Sequence, residues 1–192
     1  SLQCVILDGI RTNLDRQPVT EEEEAQALSD KLVTRERRLS SSSTSSLGSI
    51  SAEEIFHDTA GWRNLETWMK CLQATIDGCG SSFNTFITQD LLDLIFTTLN
   101  HTNRFVRETG YYVCASLVTC NASDEDMTDV SEENAIYKYG DVLANQLADG
   151  LSDNWSQVRL AASVATRNFL KSFSDNNHRK PYFPLLIPPL CL

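Results

Sequence analysis

The sequence predicts an all-α fold of stacked antiparallel helical hairpins, an arrangement called an α-solenoid. Apolar residues recur at three- and four-residue spacing through most of the chain beyond residue 52, and this is the period of amphipathic helices. No segment alternates apolar and polar residues between hairpin turns, so a sheet is not supported. Two stretches of the chain also match each other in register, which is typical of repeat proteins.

Residues 1–39 are predicted to form an N-terminal helical segment. The apolar patch Cys4–Leu7, followed by Ile10 and Leu14, suits the end of an earlier helix that Pro18 interrupts. Thr20, followed by four glutamates, fits the N-cap of another, because acidic side chains in a first turn interact favourably with the helix dipole. We therefore expect a helix over about residues 20–38.

Residues 40–51 read SSSSTSSLGSIS and are predicted to form a disordered linker, because so polar a run cannot bury enough surface to offset its ordering entropy. Arginines lie two and three residues before Ser40, an arrangement that basophilic kinases favour. A flexible segment can enter a kinase active site, so Ser40 is a candidate phosphorylation site. The alternative is an inert polar linker.

Residues 52–192 are predicted to hold the helical repeats. One apolar stripe runs from Leu65 to Ile76. The segment 121–134 carries six acids and no base and is predicted to be a solvated acidic loop. A further helix is expected to open near Tyr182, beside prolines that suit a first turn. The other predicted helices cover about residues 62–77, 88–100, 103–120, 138–151 and 155–173.

Residues 91–118 and 143–170 align with each other at an offset of 52 residues. Leucines of the first helix coincide in the two copies, and the pair Val106-Arg107 coincides with Val158-Arg159. In both copies this pair lies seven and eight residues after the last leucine of the first helix. We expect both valines to point toward adjoining helices.

This pattern resembles the HEAT repeat family, in which a short turn carrying an Asp joins an apolar helix to a second one opened by Val-Arg. The second copy has Asp153 in the turn, whereas the first has His101. The resemblance implies that the Asp accepts hydrogen bonds at the start of the second helix and pairs with an arginine, here Arg107 or Arg159. The offset exceeds the usual repeat length of about 40–47 residues, and the acidic insert 121–134 accounts for the excess.

A single helical hairpin cannot cover its own apolar face, so stacked neighbours must share a core and leave an extended surface for partners. The chain begins at Ser1 without an initiator Met and stops at Leu192 within an apolar segment. No capping repeat is visible in the sequence. We therefore expect a piece of a longer solenoid.

The net charge of −10 disfavours binding to nucleic acid or to an anionic membrane. No apolar run reaches the ~18–20 residues that a membrane span needs, so no membrane insertion is expected. None of the six cysteines forms a C-x-x-C pair, and all are expected to be buried thiols in a reducing compartment. The expected location is the cytoplasm, with the nucleus as an alternative.

Motifs for phosphate binding, for a nucleophile elbow and for catalytic zinc are missing from the sequence. His57 lies near two glutamates, but a solvated helix end explains that grouping. We therefore expect no catalytic residue, no cofactor, no metal and no small-molecule substrate. The chain is not expected to be an enzyme.

The function that these observations favour is a non-catalytic scaffold or adaptor that binds other proteins. One alternative is a transport-receptor-like module, in which an acid-rich face including Asp124, Glu125 and Asp126 holds basic cargo. Another is a regulatory subunit that cradles a kinase or a phosphatase. Trp155 is a candidate partner contact, since tubulin-binding TOG arrays resemble this chain in having a turn tryptophan, although their binding faces are basic and this chain is acidic.

Overall fold

The structure, a computed structural model, describes residues 2–14, 62–120, 135–173 and 175–190. Within these ranges the chain is helical and contains no strand, so the predicted all-α fold is confirmed for them. Three predicted features lie outside the described residues. They are the helix over 20–38, the Ser-rich segment 40–51 and the acidic segment 121–134.

Eight α-helices and two short 3-10 turns make up the described residues. Each predicted helix boundary lies within two residues of the observed one, except at the start of α5, which begins at Ala135 rather than at residue 138. At this end of α5, the Asn84 Oδ1 accepts a hydrogen bond from the Ala135 N–H. The helices are α1 (Leu2–Leu14), α2 (Trp62–Cys79), α3 (Gln89–Leu99), α4 (Arg104–Cys120), α5 (Ala135–Leu151), α6 (Ser156–Ser172), α7 (Asn176–Arg179) and α8 (Phe183–Leu190), with 3-10 turns at Gly80–Phe86 and Lys180–Tyr182.

Polar side chains and one glycine set the helix ends. α2 ends before Gly80, whose φ of 51° is a left-handed conformation that glycine adopts without strain. At the start of α3, Thr88 Oγ1 accepts a hydrogen bond from the Leu91 N–H. At the start of α4, Asn103 Oδ1 accepts one from the Phe105 N–H at 2.8 Å. These caps supply acceptors for backbone donors that a helix leaves unpaired in its first turn.

Helix α4 packs between α2 and α6. α1 packs on α2, α3 on α4, α5 on α6, and α8 on α5. α4 and α6 run in the same direction, because Arg107 near the start of α4 contacts Asp153 just before α6, while Ser172 at the end of α6 donates a hydrogen bond to the Val118 carbonyl near the end of α4. The turns that precede α4 and α6 therefore lie at the same end of the helix pair.

One apolar cluster extends from Ile6 in α1 to Leu186 in α8. Val106 and Val158 belong to it with exposed fractions of 0% and 1%, as expected for side chains that point toward adjoining helices. The stripe predicted from Leu65 is buried in α2. Among the described helices, none is both long and apolar enough to cross a bilayer.

The cysteine prediction is correct for two residues and wrong for three. Cys114 and Cys120 are buried, and burial raises the pKa of each thiol to about 12. Cys4, Cys71 and Cys79 are exposed. Their burial was predicted from residue type alone. Cys71 and Cys79 lie in α2 but outside its buried apolar stripe. Cys191 lies outside the described residues.

Gly150 in α5 and Gly78 in α2 differ in the space around them, so substitution by alanine should have different effects at the two positions. A Cβ at Gly150 would overlap the ring of buried Tyr111, whose hydroxyl donates to the Gln146 carbonyl at 3.1 Å. Gly150→Ala should therefore lower the free energy of unfolding by about 1–3 kcal/mol. A Cβ at Gly78 meets nothing within 4 Å, so Gly78→Ala should leave that free energy unchanged or raise it by less than about 1 kcal/mol. Urea unfolding followed by circular dichroism compares the two, and equal effects would contradict the packing described.

Candidate interaction surface

The turn before α6 is organised by Asp153. Its Oδ1 accepts a hydrogen bond from the Trp155 N–H at 2.9 Å. The same carboxylate pairs with Arg107 of α4, with Nε–Oδ2 at 2.9 Å and Nη2–Oδ1 at 3.3 Å. The Arg107 and Asp153 side chains are only 16% and 14% exposed, so little solvent screens the pair. Of the two arginines that the HEAT resemblance implies as partners, the carboxylate pairs with Arg107, while Arg159 donates to the Asp153 carbonyl at 2.7 Å.

His101 occupies the position of the Asp in the first copy and makes an equivalent turn. Its Nδ1 accepts a hydrogen bond from the Asn103 N–H at 3.0 Å, and Arg107 donates to its carbonyl at 2.9 Å. Around Asp153, the N–H two residues later and Arg159 make the same two bonds. His101 therefore keeps the turn-forming role that the resemblance implies for an Asp. Sequence reasoning treated this histidine only as a departure, although an unprotonated ring nitrogen is a good acceptor.

Four side chains at the starts of α2, α4 and α6 form a continuous stack, which we call the ridge stack: Trp62, Phe105, Arg104 and Trp155. The Trp62 and Phe105 rings stack at 4.9 Å between centroids, with 22° between their planes. The Arg104 guanidinium lies 4.7 Å from the Phe105 centroid and 4.0 Å from the Trp155 centroid. Three neighbouring helices thus contribute to one surface.

The ridge stack is accessible to solvent. Trp155 is 42% exposed and Phe105 is 36% exposed, while Trp62 is half-buried. Single exposed apolar residues are common, but contiguous exposed aromatic groups mark interaction sites far more often. Tryptophan and arginine are also the residues that contribute most binding energy at protein interfaces.

The first turns of α2 and α4 and the turn into α6 carry charges of both signs. Residues 62–65, 104–107 and 152–159 hold four arginines and one carboxylate, and Glu66 and Glu108 directly follow the first two segments. The carboxylate, Asp153, is paired with Arg107, and Glu66 is paired with Lys70. Arg104 has no ion-pair partner among the described residues.

The structure brings most of the sequence-predicted site residues together at this end. Trp155 was predicted from the sequence as a partner contact, whereas Phe105 and Arg104 were not. In the structure, Arg104 contacts the rings of both Phe105 and Trp155. Asp124, Glu125, Asp126 and Ser40 lie outside the described residues. The predicted residues that converge on the turns before α4 and α6 are Val106, Arg107, Asp153, Trp155, Val158 and Arg159.

Comparison of the chain with protein-family models, with curated proteins and with solved structures gave no match. The resemblance to HEAT repeats therefore depends on the chain's own residues and on the paired turn bonds. In the part of the chain that the structure describes, no group of three or more histidine, cysteine or acidic side chains is arranged to hold a metal ion.

Removing the charge at Asp153 should destabilise the fold. Asp153→Asn leaves Arg107 half-buried without a carboxylate, so the free energy of unfolding should fall by about 1–3 kcal/mol. The control is Asp8→Asn, which breaks an exposed pair with Arg11 and should have little effect. Combining Asp153→Asn with Arg107→Gln in urea unfolding should cost less than the sum of the two single changes. Strict additivity would show that the two side chains do not stabilise each other.

His101 offers a separate test of the turn. His101→Asn retains an acceptor for the Asn103 N–H and should change the free energy of unfolding little. His101→Leu removes the acceptor and should lower it by about 1 kcal/mol. Both variants are compared by urea unfolding monitored through helical circular dichroism. If the two substitutions were equally destabilising, the ring nitrogen would have no acceptor role in the turn.

Proposed function

We propose that this chain is a HEAT-like scaffold that binds another protein through the ridge stack. The pairing of α1 with α2, of α3 with α4 and of α5 with α6 is what stacked hairpins require, and α4 contacts the second helices of both neighbouring hairpins. The equivalent hydrogen bonds at His101 and Asp153 support two copies of one repeat. Such stacking leaves an extended surface along the turns, which is where repeat proteins bind partners.

The observation that carries the proposal is the continuity of the ridge stack across three helices. An exposed cation–π contact contributes only about 0.5–1 kcal/mol to a fold, far less than the buried core contributes. Stability of this chain therefore gives little reason to leave the Phe105 and Trp155 rings exposed to solvent. A partner that covers these groups gains favourable free energy from burying them. The entropy cost of ordering their side chains is small, because they already contact one another.

Binding, rather than catalysis, fits the chemistry of this surface. The ridge stack consists of three aromatic rings and one guanidinium, and it pairs no nucleophile with a base. A scaffold and a regulatory subunit of a kinase or phosphatase would use such a surface in the same way. The proposal therefore covers both, and the identity of the partner separates them.

The test is affinity purification from cells of the protein that carries this chain. Phe105→Ser combined with Trp155→Ser should reduce at least one co-purified protein by about tenfold or more, because hot-spot residues contribute about 2 kcal/mol or more each. The matched control is Val142→Ser on α5, which removes an apolar side chain that is 48% exposed but belongs to a different helix.

A protein lost by the ridge variant is then purified, and its binding to the wild-type chain is measured directly by calorimetry. Circular dichroism must show the same helix content in all variants. If every co-purified protein is retained equally by the ridge and control variants, the ridge stack is not the binding surface.

A further inference from the structure

We infer that the ridge stack receives an acidic segment of the partner and that the Arg104 guanidinium binds a carboxylate of that segment. This inference rests on the proposed function, because it assigns the chemistry of the partner at the same surface. It concerns an extended acidic peptide that also carries apolar side chains, not a basic cargo.

The position of Arg104 leaves its hydrogen-bonding edge available. A guanidinium is planar, and it contacts aromatic rings through its face while its N–H donors lie around its edge. The Arg104 Cζ lies 4.7 Å from the Phe105 ring centroid and 4.0 Å from the Trp155 ring centroid, so the guanidinium packs against both rings. Among the described residues, none forms an ion pair with Arg104 or accepts a hydrogen bond from it.

The two nearby arginines of the Val-Arg pairs differ from Arg104 in this respect. Arg107 donates to the Asp153 carboxylate and to the carbonyls of His101 and Thr102. Arg159 donates to the Asp153 carbonyl. The N–H groups of Arg107 and Arg159 therefore stabilise the turns, whereas those of Arg104 do not contribute to either turn. Arg104 is therefore the arginine of these three that a ligand can reach without breaking a turn.

Arg104 decides the sign of the ligand, because it has no ion-pair partner among the described residues, whereas Arg107 is paired with Asp153. A carboxylate placed on the edge of Arg104 forms two parallel charge-assisted hydrogen bonds, which are about twice as strong as neutral ones. A lysine placed there would meet an unpaired like charge. Apolar side chains flanking the carboxylate would cover the exposed Phe105 and Trp155 rings.

A highly charged polyanion fits this surface less well than a short acidic peptide. Arg104 is a single cation, whereas the whole chain carries a net charge of −10. A nucleic acid needs many phosphate contacts and would be repelled by the rest of the chain. The acidic peptide needs one well-placed guanidinium and two rings.

The test uses three fluorescein-labelled peptides in fluorescence anisotropy: alternating glutamate and leucine, and matched peptides with glutamine or lysine in place of glutamate. The glutamate peptide should bind most tightly, and its affinity should fall as salt is raised. Arg104→Gln should weaken this binding about tenfold. Arg167→Gln, on an exposed part of α6 well beyond its first turn, makes the same charge change and should alter the affinity less than about twofold.

Four results would overturn the inference: no binding of the glutamate peptide, equal binding of the glutamine peptide, tighter binding of the lysine peptide or of an oligothymidylate, or equal effects of Arg104→Gln and Arg167→Gln. The proposed function has a separate test. It is contradicted when no co-purified protein is lost with Phe105→Ser and Trp155→Ser. A cellular partner that is lost with those changes but retained by Arg104→Gln would leave the scaffold proposal intact and reject the acidic ligand.

Discussion

The ion pair between Arg107 and Asp153 is the contact that links the packing of α4 and α6 to the candidate surface. It joins α4 to the turn before α6 while both side chains are largely removed from solvent. The same carboxylate accepts the N–H of Trp155 and so fixes the backbone that carries this ring. The ring then lies on Arg104 of α4. One buried acidic group therefore places two helices and the exposed groups above them, because an unpaired charge in that position would be costly.

Features that follow the repeat could be predicted from the sequence, whereas contacts between unrelated positions could not. The pairing of Asp153 with Arg107 was among the contacts that the resemblance to HEAT repeats implied, although the first copy has His101 in place of the Asp. The contact between Asn84 and the Ala135 N–H was missed, since these residues lie 51 positions apart in the sequence. The ridge stack was also missed, because Trp62 and Phe105 are far apart in the sequence and no repeat pattern relates them.

Whole-chain charge does not predict how charges are arranged at the starts of individual helices. The acidic composition predicted a preference for basic partners and drew attention to Asp124, Glu125 and Asp126, which lie outside the described residues. The first turns of α4 and α6 instead hold three arginines, Arg104, Arg107 and Arg159. Arg107 and Arg159 lie 52 residues apart, and because α4 and α6 run in the same direction, both arginines lie at one end of the helix pair.

Because three helices contribute to the ridge stack, the surface exists only when neighbouring helices keep their register. Trp62 belongs to α2, Phe105 and Arg104 to α4, and Trp155 to the turn into α6, so a shift of any one helix along its neighbour would separate a ring from its stacking partner. A ligand that covers the whole stack interacts with all three helices and favours the register in which they adjoin. A ligand bound there would therefore be coupled to the packing of α2, α4 and α6 through the same contacts.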